Sequence, residues 1–194
     1  MRELTAEEIE VKVSQVTEKG CQLLIYKTAR TDAKLLDETH GEMNWQCEYT
    51  EVKGNLFCTI KVWDDKKQQW ISKQDCGIES EFGGKEKGEA SDAFKRAGFK
   101  WGIGVELYNA PFIWIPKEKL KRHKLNEKKK WECKDIFKVE KVKIEKGKVV
   151  GIAIQNELGR CFVYPKKEET NDTGRKSNKV HEEQETKNNN TERS

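Results

Sequence analysis

Three stretches of strict period-two alternation follow one another between Asn44 and Ile78, and one helical pattern comes after them. Asn44 to Val52 places Trp45, Cys47 and Tyr49 on one face. Leu56 to Trp63 gathers Leu56, Cys58, Ile60 and Val62. Trp70 to Ile78 gathers Trp70, Ser72, Gln74, Cys76 and Ile78. The separators Lys53-Gly54-Asn55 and Asp64-Asp65-Lys66-Lys67 carry turn chemistry, so the expected structure is a three-stranded antiparallel meander. From Lys87 to Gly104 the period changes to that of a helix. Ala90, Ala93, Phe94, Ala97, Gly98 and Trp101 fall on one side, a small-residue stripe that lets a helix sit close to a sheet. Strands grouped before a helix, rather than alternating with helices, give an α+β class. The expected core is an antiparallel β-meander packed on a long helix, in β-β-β-α order.

The flanking segments read less sharply. Thr5 and Glu8 have the spacing of a capping box, and Leu4, Glu8 and Val11 suggest a short helix over Leu4 to Val16. Residues 21–30 fit a strand or a helical turn. Thr31 to Thr39 reads as a short helix capped by Thr31 or Asp32. Gly102 and Gly104 stop the long helix. Phe112 to Ile115 is a short apolar run ending at Pro116. Phe137 to Ile144 and Val149 to Ile154, joined by a Glu145-Lys146-Gly147-Lys148 turn, read as a hairpin, with Cys161 to Tyr164 as a possible further strand. The rest, from Pro165 on, has almost no apolar residues and is expected to be disordered. The division that follows is 1–116 as core, 117–164 as a basic hairpin extension and 165–194 as a disordered polar tail.

Charge is the second constraint. The chain is 35% hydrophobic and 37% charged, with a net charge of +4. Residues 1–116 hold 16 Lys and Arg against 20 Asp and Glu, whereas residues 117–164 hold 15 against 7. A basic segment of this kind suits a polyanion or simply a solvated surface. The six cysteines form no CxxC pair, and the three histidines stand alone, so no zinc site is expected. The cysteines read as reduced, mostly buried thiols of a cytoplasmic protein. MRELTAEEIE has no apolar leader, and no run reaches the ~20 apolar residues of a membrane span.

Chemistry-bearing patterns are few. Gly83-Gly84-Lys85 through Gly88 either cradles an anion ahead of a helix or merely connects strand to helix, and it lacks the P-loop pattern. Asp64-Asp65 and Glu79 with Glu81 could face a metal, but no His or nucleophile accompanies them. No catalytic residue, metal ligand or cofactor is assigned, and an enzyme is not expected. The outer side of the long helix is more informative. Ser91, Asp92, Lys95, Arg96 and Phe99 lie there, with Lys100 at the edge. An Arg fork and a Lys point charge bind phosphate oxygens in complementary ways, and Phe99 can stack on a base. The plainer readings are a solvated face for the cations and a packing contact for the ring.

At these residues the chain resembles the Rad-fifty-two/Rad-twenty-two double-strand-break repair family and its phage relatives, the single-strand annealing proteins. The resemblance rests on Ala90-Ser91-Asp92-Ala93-Phe94-Lys95-Arg96-Ala97 followed by Trp101-Gly102-Ile103-Gly104, on the preceding meander and on Trp45, and it spans about residues 1–110. It implies sequence-independent binding of single-stranded DNA, homo-oligomeric rings or filaments, and annealing without nucleotide hydrolysis in recombination and repair. An exonuclease or a single-strand-binding protein would be a natural partner. Lys95 and Arg96 match the family's backbone-contacting pair, and Arg30 matches a further arginine within one residue. The family has another cation one turn beyond the pair. This chain has Phe99 there, with Lys100 beside it. The alternative is an oligomeric scaffold or adaptor whose basic arm binds an acidic protein.

Overall fold

The structure is a computed structural model that describes residues 1–78 and 85–165. The chain is α+β, with antiparallel sheets and, among the described residues, two α-helices. The expectations placed on Glu79, Glu81 and the Gly83-Gly84 loop, and on the tail from 166 to 194, fall outside the described residues.

The chain opens with a short 3-10 turn, Ala6–Glu8, and the Thr5/Glu8 capping box is present. The helix expected over Leu4 to Val16 is not: strand β1 runs Glu10–Thr17 and pairs antiparallel with β2, Gly20–Tyr26. The physical reason is a bulge. Val11 pairs with Ile25 and Val13 with Leu23, then the register shifts, and Val16 pairs with Cys21. The extra residue brings all three valines to the face of the buried Ile25, Leu23 and Cys21. Without it, Val16 would face away from Val11 and Val13.

Helix α1, Ala29–His40, starts earlier than the sequence suggests. Its N-cap is Thr28, whose hydroxyl accepts from the Thr31 amide, and neither Thr31 nor Asp32 caps it. Both lie buried on the helix instead. Strands β3 (Trp45–Val52), β4 (Asn55–Asp64) and β5 (Gln69–Cys76) then pair antiparallel in chain order. Cys58, Ile60 and Val62 point inward and are buried. The face of β5 opposite them carries Ile71, Lys73 and Asp75, so the Trp70, Ser72, Gln74 and Cys76 set looks out from the other side of the sheet. There Trp70 meets Trp63 edge to face, at a centroid distance of 5.6 Å.

Helix α2, Lys85–Lys100, buries Ala93, Phe94, Ala97 and Gly98. Phe94 lies 6.0 Å from the Trp45 ring, and Trp101 just beyond the helix donates its indole N–H to the Ile60 carbonyl. Glu89 accepts from the Leu56 amide and Asp92 from the Ile78 amide, which ties the helix to the end of the sheet where β4 begins and β5 finishes. A second 3-10 turn, Val105–Asn109, leads to β6, Ile113–Pro116, which pairs with β2.

Beyond β6 the chain forms a small β7–β8 pair (His123–Leu125 with Trp131–Cys133) and a second three-stranded sheet. That sheet is β9 (Lys138–Glu145), β10 (Lys148–Asn156) and β11 (Gly159–Tyr164), with β10 in the middle. Phe137, Val149, Ile152, Ile154 and Cys161 join one continuous apolar cluster with Leu4, Ile9, Leu35, Ile103 and Ile115. Buried Asp135 fixes the approach to this sheet. It accepts from the Lys121 and Arg122 amides at 2.9 and 2.6 Å and from the Asn156 side chain at 3.0 Å. Three of the cysteines, Cys21, Cys58 and Cys161, are buried, and Cys47 is exposed. Among the described residues no helix is long and apolar enough to cross a membrane.

Candidate nucleic-acid interface

An open cleft of about 650 Å³ lies between α2, strand β2 and the segment from Gly104 to Ile113. Lys95, Arg96 and Phe99 line it from the helix, brought to one wall by helical spacing. Neither cation is locked in a tight pair. Lys95 Nζ is 3.9 Å from Asp92 Oδ1, and Arg96 Nε is 3.6 Å from Asp75 Oδ1. Arg96 Nε is buried and has no hydrogen-bond partner among the described residues.

The other candidates sit elsewhere. Lys100 is exposed and turned toward β5. Its ammonium donates to the Gln74 carbonyl and is 3.5 Å from Asp75, so Arg96 and Lys100 share one carboxylate. Arg30 is exposed on the first turn of α1 and does not line the cleft. Phe99 packs against Tyr108, with ring centroids 4.5 Å apart and planes tilted by 55°.

The segment from Gly104 to Ile113 brings to the cleft residues that sequence reading passed over. Tyr108 and Phe112 line the cleft and are 72% and 69% exposed, more than any other aromatic side chain among the described residues. They flank Asn109-Ala110-Pro111 in a 3-10 turn and a loop, where no periodicity marks them. Two large rings either side of an Asn-Ala-Pro tripeptide, just after a glycine-punctuated helix end, were the available signal. Leu24 and Tyr26 of β2 add further apolar lining.

Beneath the cleft is a buried ion pair that sequence reading also missed. Lys27 Nζ donates to both carboxylate oxygens of Asp32, at 2.7 and 2.5 Å, and to the Lys95 carbonyl at 3.3 Å. Asp32 is fully buried and Lys27 nearly so. Burial pushes the Asp32 carboxyl up to about 6 and the Lys27 ammonium down from its ordinary range, while each partner's charge pulls the other back. Two glycines make room for the pair. A Cβ on Gly98 would lie 2.5 Å from Asp32 Oδ2, and one on Gly104 would lie 2.5 Å from Lys27 Cδ. Gly104 also has φ of +70°. The pair therefore knits β2, α1 and α2 together directly under Lys95.

Of the acidic groups weighed as metal ligands, Asp64 accepts from the Lys66 and Lys67 amides and Asp65 from the Trp63 indole. Both are turn residues engaged locally. Comparison of the chain with protein-family models, with curated proteins and with solved structures finds no match.

Proposed function

We propose that the chain holds an unpaired nucleic-acid strand in this cleft and promotes the pairing of complementary strands, without nucleotide hydrolysis, as a homo-oligomeric annealing protein in DNA recombination and repair. The observation that carries the reading is the placement of Lys95, Arg96 and Phe99 on one wall of an open cleft. Cations neutralise phosphates and release condensed counterions, while an aromatic ring offers a sequence-independent platform for bases. Annealing asks for no catalytic group. It asks for a strand presented in extended form and for reduced repulsion between two polyanions. The resemblance of the Lys87–Gly104 segment to the Rad-fifty-two/Rad-twenty-two family supports the same reading, and single-stranded DNA is the substrate it points to. The core described above, with α2 against β4 and β5, suits the family's β-β-β-α arrangement.

The test is fluorescence anisotropy with labelled oligo-dT over a salt series, alongside an annealing assay without nucleotide. Each phosphate contact to a single strand contributes about 0.7 to the log–log salt slope, so Lys95→Ala with Arg96→Ala lowers the slope by about 1.4. The double variant keeps its fold, since both side chains are at least 30% exposed. Wild-type affinity and slope in that variant would refute the assignment. Binding of an acidic protein that oligo-dT does not displace would favour an adaptor instead.

A further inference from the structure

We infer that Tyr108 and Phe112 form a base-stacking surface of the cleft, so that the site grips nucleotides by their ring faces and discriminates against duplex. This inference rests on the single-strand reading and names the part of the ligand that the aromatic wall recognises.

Large aromatic side chains tend toward the core. Tyr108 and Phe112 instead line the cleft and are the two most exposed aromatic side chains among the described residues. Their backbone is constrained on both sides. Val105–Asn109 is a 3-10 turn, Ala110 N–H donates to the Leu107 carbonyl, and Pro111 has a fixed φ. Rings held on such a segment lose little freedom when a ligand stacks on them. Tyr108 is also braced from within the cleft by Phe99.

The charges choose the occupant. The charged residues lining the cleft are Lys27, Lys95, Arg96 and Asp92. Lys27 is neutralised from beneath by Asp32, while Lys95 and Arg96 have only loose carboxylate contacts, with Asp92 at 3.9 Å and Asp75 at 3.6 Å. They line the same cleft as the exposed rings. An apolar peptide would add nothing to these loose contacts, whereas a nucleotide strand supplies phosphates for the cations and π-faces for the rings.

Stacking has a consequence for annealing. A base held by its face keeps its Watson–Crick edge free for a second strand. Once the duplex forms, its bases are stacked on one another and their faces are no longer available to Tyr108 and Phe112. The site therefore binds substrate more tightly than product, and the annealed duplex is released.

The test compares oligo-dT with an abasic oligonucleotide of the same length, using full-length wild type and the Tyr108→Leu/Phe112→Leu variant. Leucine keeps apolar bulk and removes the ring faces, and circular dichroism checks that the fold is intact. Wild type should bind oligo-dT about ten- to a hundredfold more tightly than the abasic strand. The variant should lose most of that preference, leave abasic binding unchanged and keep the wild-type salt slope, because stacking releases no counterions. Tyr108→Phe should retain the preference. Equal affinity of wild type for both strands, an unchanged preference in the leucine variant, or an altered oligomeric state with unchanged strand affinity would each overturn the inference. Failure of the Lys95/Arg96 test would instead overturn strand binding in this cleft, so the two results separate.

Discussion

Replacing Gly98 by Ala sets two effects of opposite sign against each other. In a helix interior Ala is favoured over Gly by about 1 kcal/mol, so propensity alone makes the variant more stable. The local geometry says otherwise. The new Cβ would lie 2.5 Å from Asp32 Oδ2 and 3.3 Å from its Cγ. The carboxylate cannot swing aside, because Lys27 Nζ holds both of its oxygens and it is fully buried. Nor can the helix retreat, since Ala93 and Ala97 are fully buried on the same stripe. Breaking a buried ion pair costs about 3–5 kcal/mol, and subtracting the propensity gain leaves a net loss of about 2–4 kcal/mol. For a domain of this size, that lowers the melting temperature by about 5–15 °C. Urea or thermal denaturation of the single variant gives the sign directly. A cycle adds the cause: in a Lys27→Met/Asp32→Ala background the obstruction is gone, and Gly98→Ala becomes neutral or stabilising. A rise in stability on Gly98→Ala in the wild-type background would refute the packing argument.

Other outcomes can be checked alongside. Lys27→Met alone leaves a buried carboxylate without its partner and should cost about 3–5 kcal/mol in urea titrations, more than Lys27→Met combined with Asp32→Ala. Asp135→Ala strands the Lys121 and Arg122 amides and should cost about 2–4 kcal/mol, read by denaturation. Glu8 accepts from Arg2, Lys34 and the Thr5 amide, and the Arg2 hydrogen bonds hold its carboxyl well below the usual range. Its folded pKa is depressed, so its stabilisation is present above the ordinary carboxylate pKa and is lost as pH falls below about 4.5. Glu8→Gln should therefore flatten the acid limb of a stability-versus-pH curve, and an unchanged limb would count against this cluster.

Residues 44–76 were legible because nothing interrupts their alternation, and the turns Lys53-Gly54-Asn55 and Asp64 to Lys67 carry the chemistry such turns need. Strand β1 was not legible, and a bulge explains why. Val11 and Val13 share a parity that Val16 breaks, and the shifted register realigns them in space. Strand β9 repeats the effect. Val139 pairs with Ile154, Val142 with Ile152 and Ile144 with Val149, three buried partners reached by residues of mixed parity. A period-two reading cannot see an inserted residue. At the site, helical spacing brought Lys95, Arg96 and Phe99 to one wall, and that spacing is written in the sequence. Tyr108 and Phe112 come from a turn and a loop, where facing is set by tertiary contacts alone. Lys27 and Asp32 are five residues apart across a strand end and a helix cap, and their burial left a mark only in the glycines opposite them.

Those glycines divide the interface into two kinds of position. Gly98 and Gly104 shape the floor by what they lack, and any side chain there disturbs the ionic rivet below. Lys95, Arg96, Tyr108 and Phe112 stand on the rim and contribute little to the apolar core. On the proposed reading, ligand preference and foldedness thus fall to separate residues. Mutational drift, or a protein engineer, could then exchange the rim groups while the platform that carries them stays fixed.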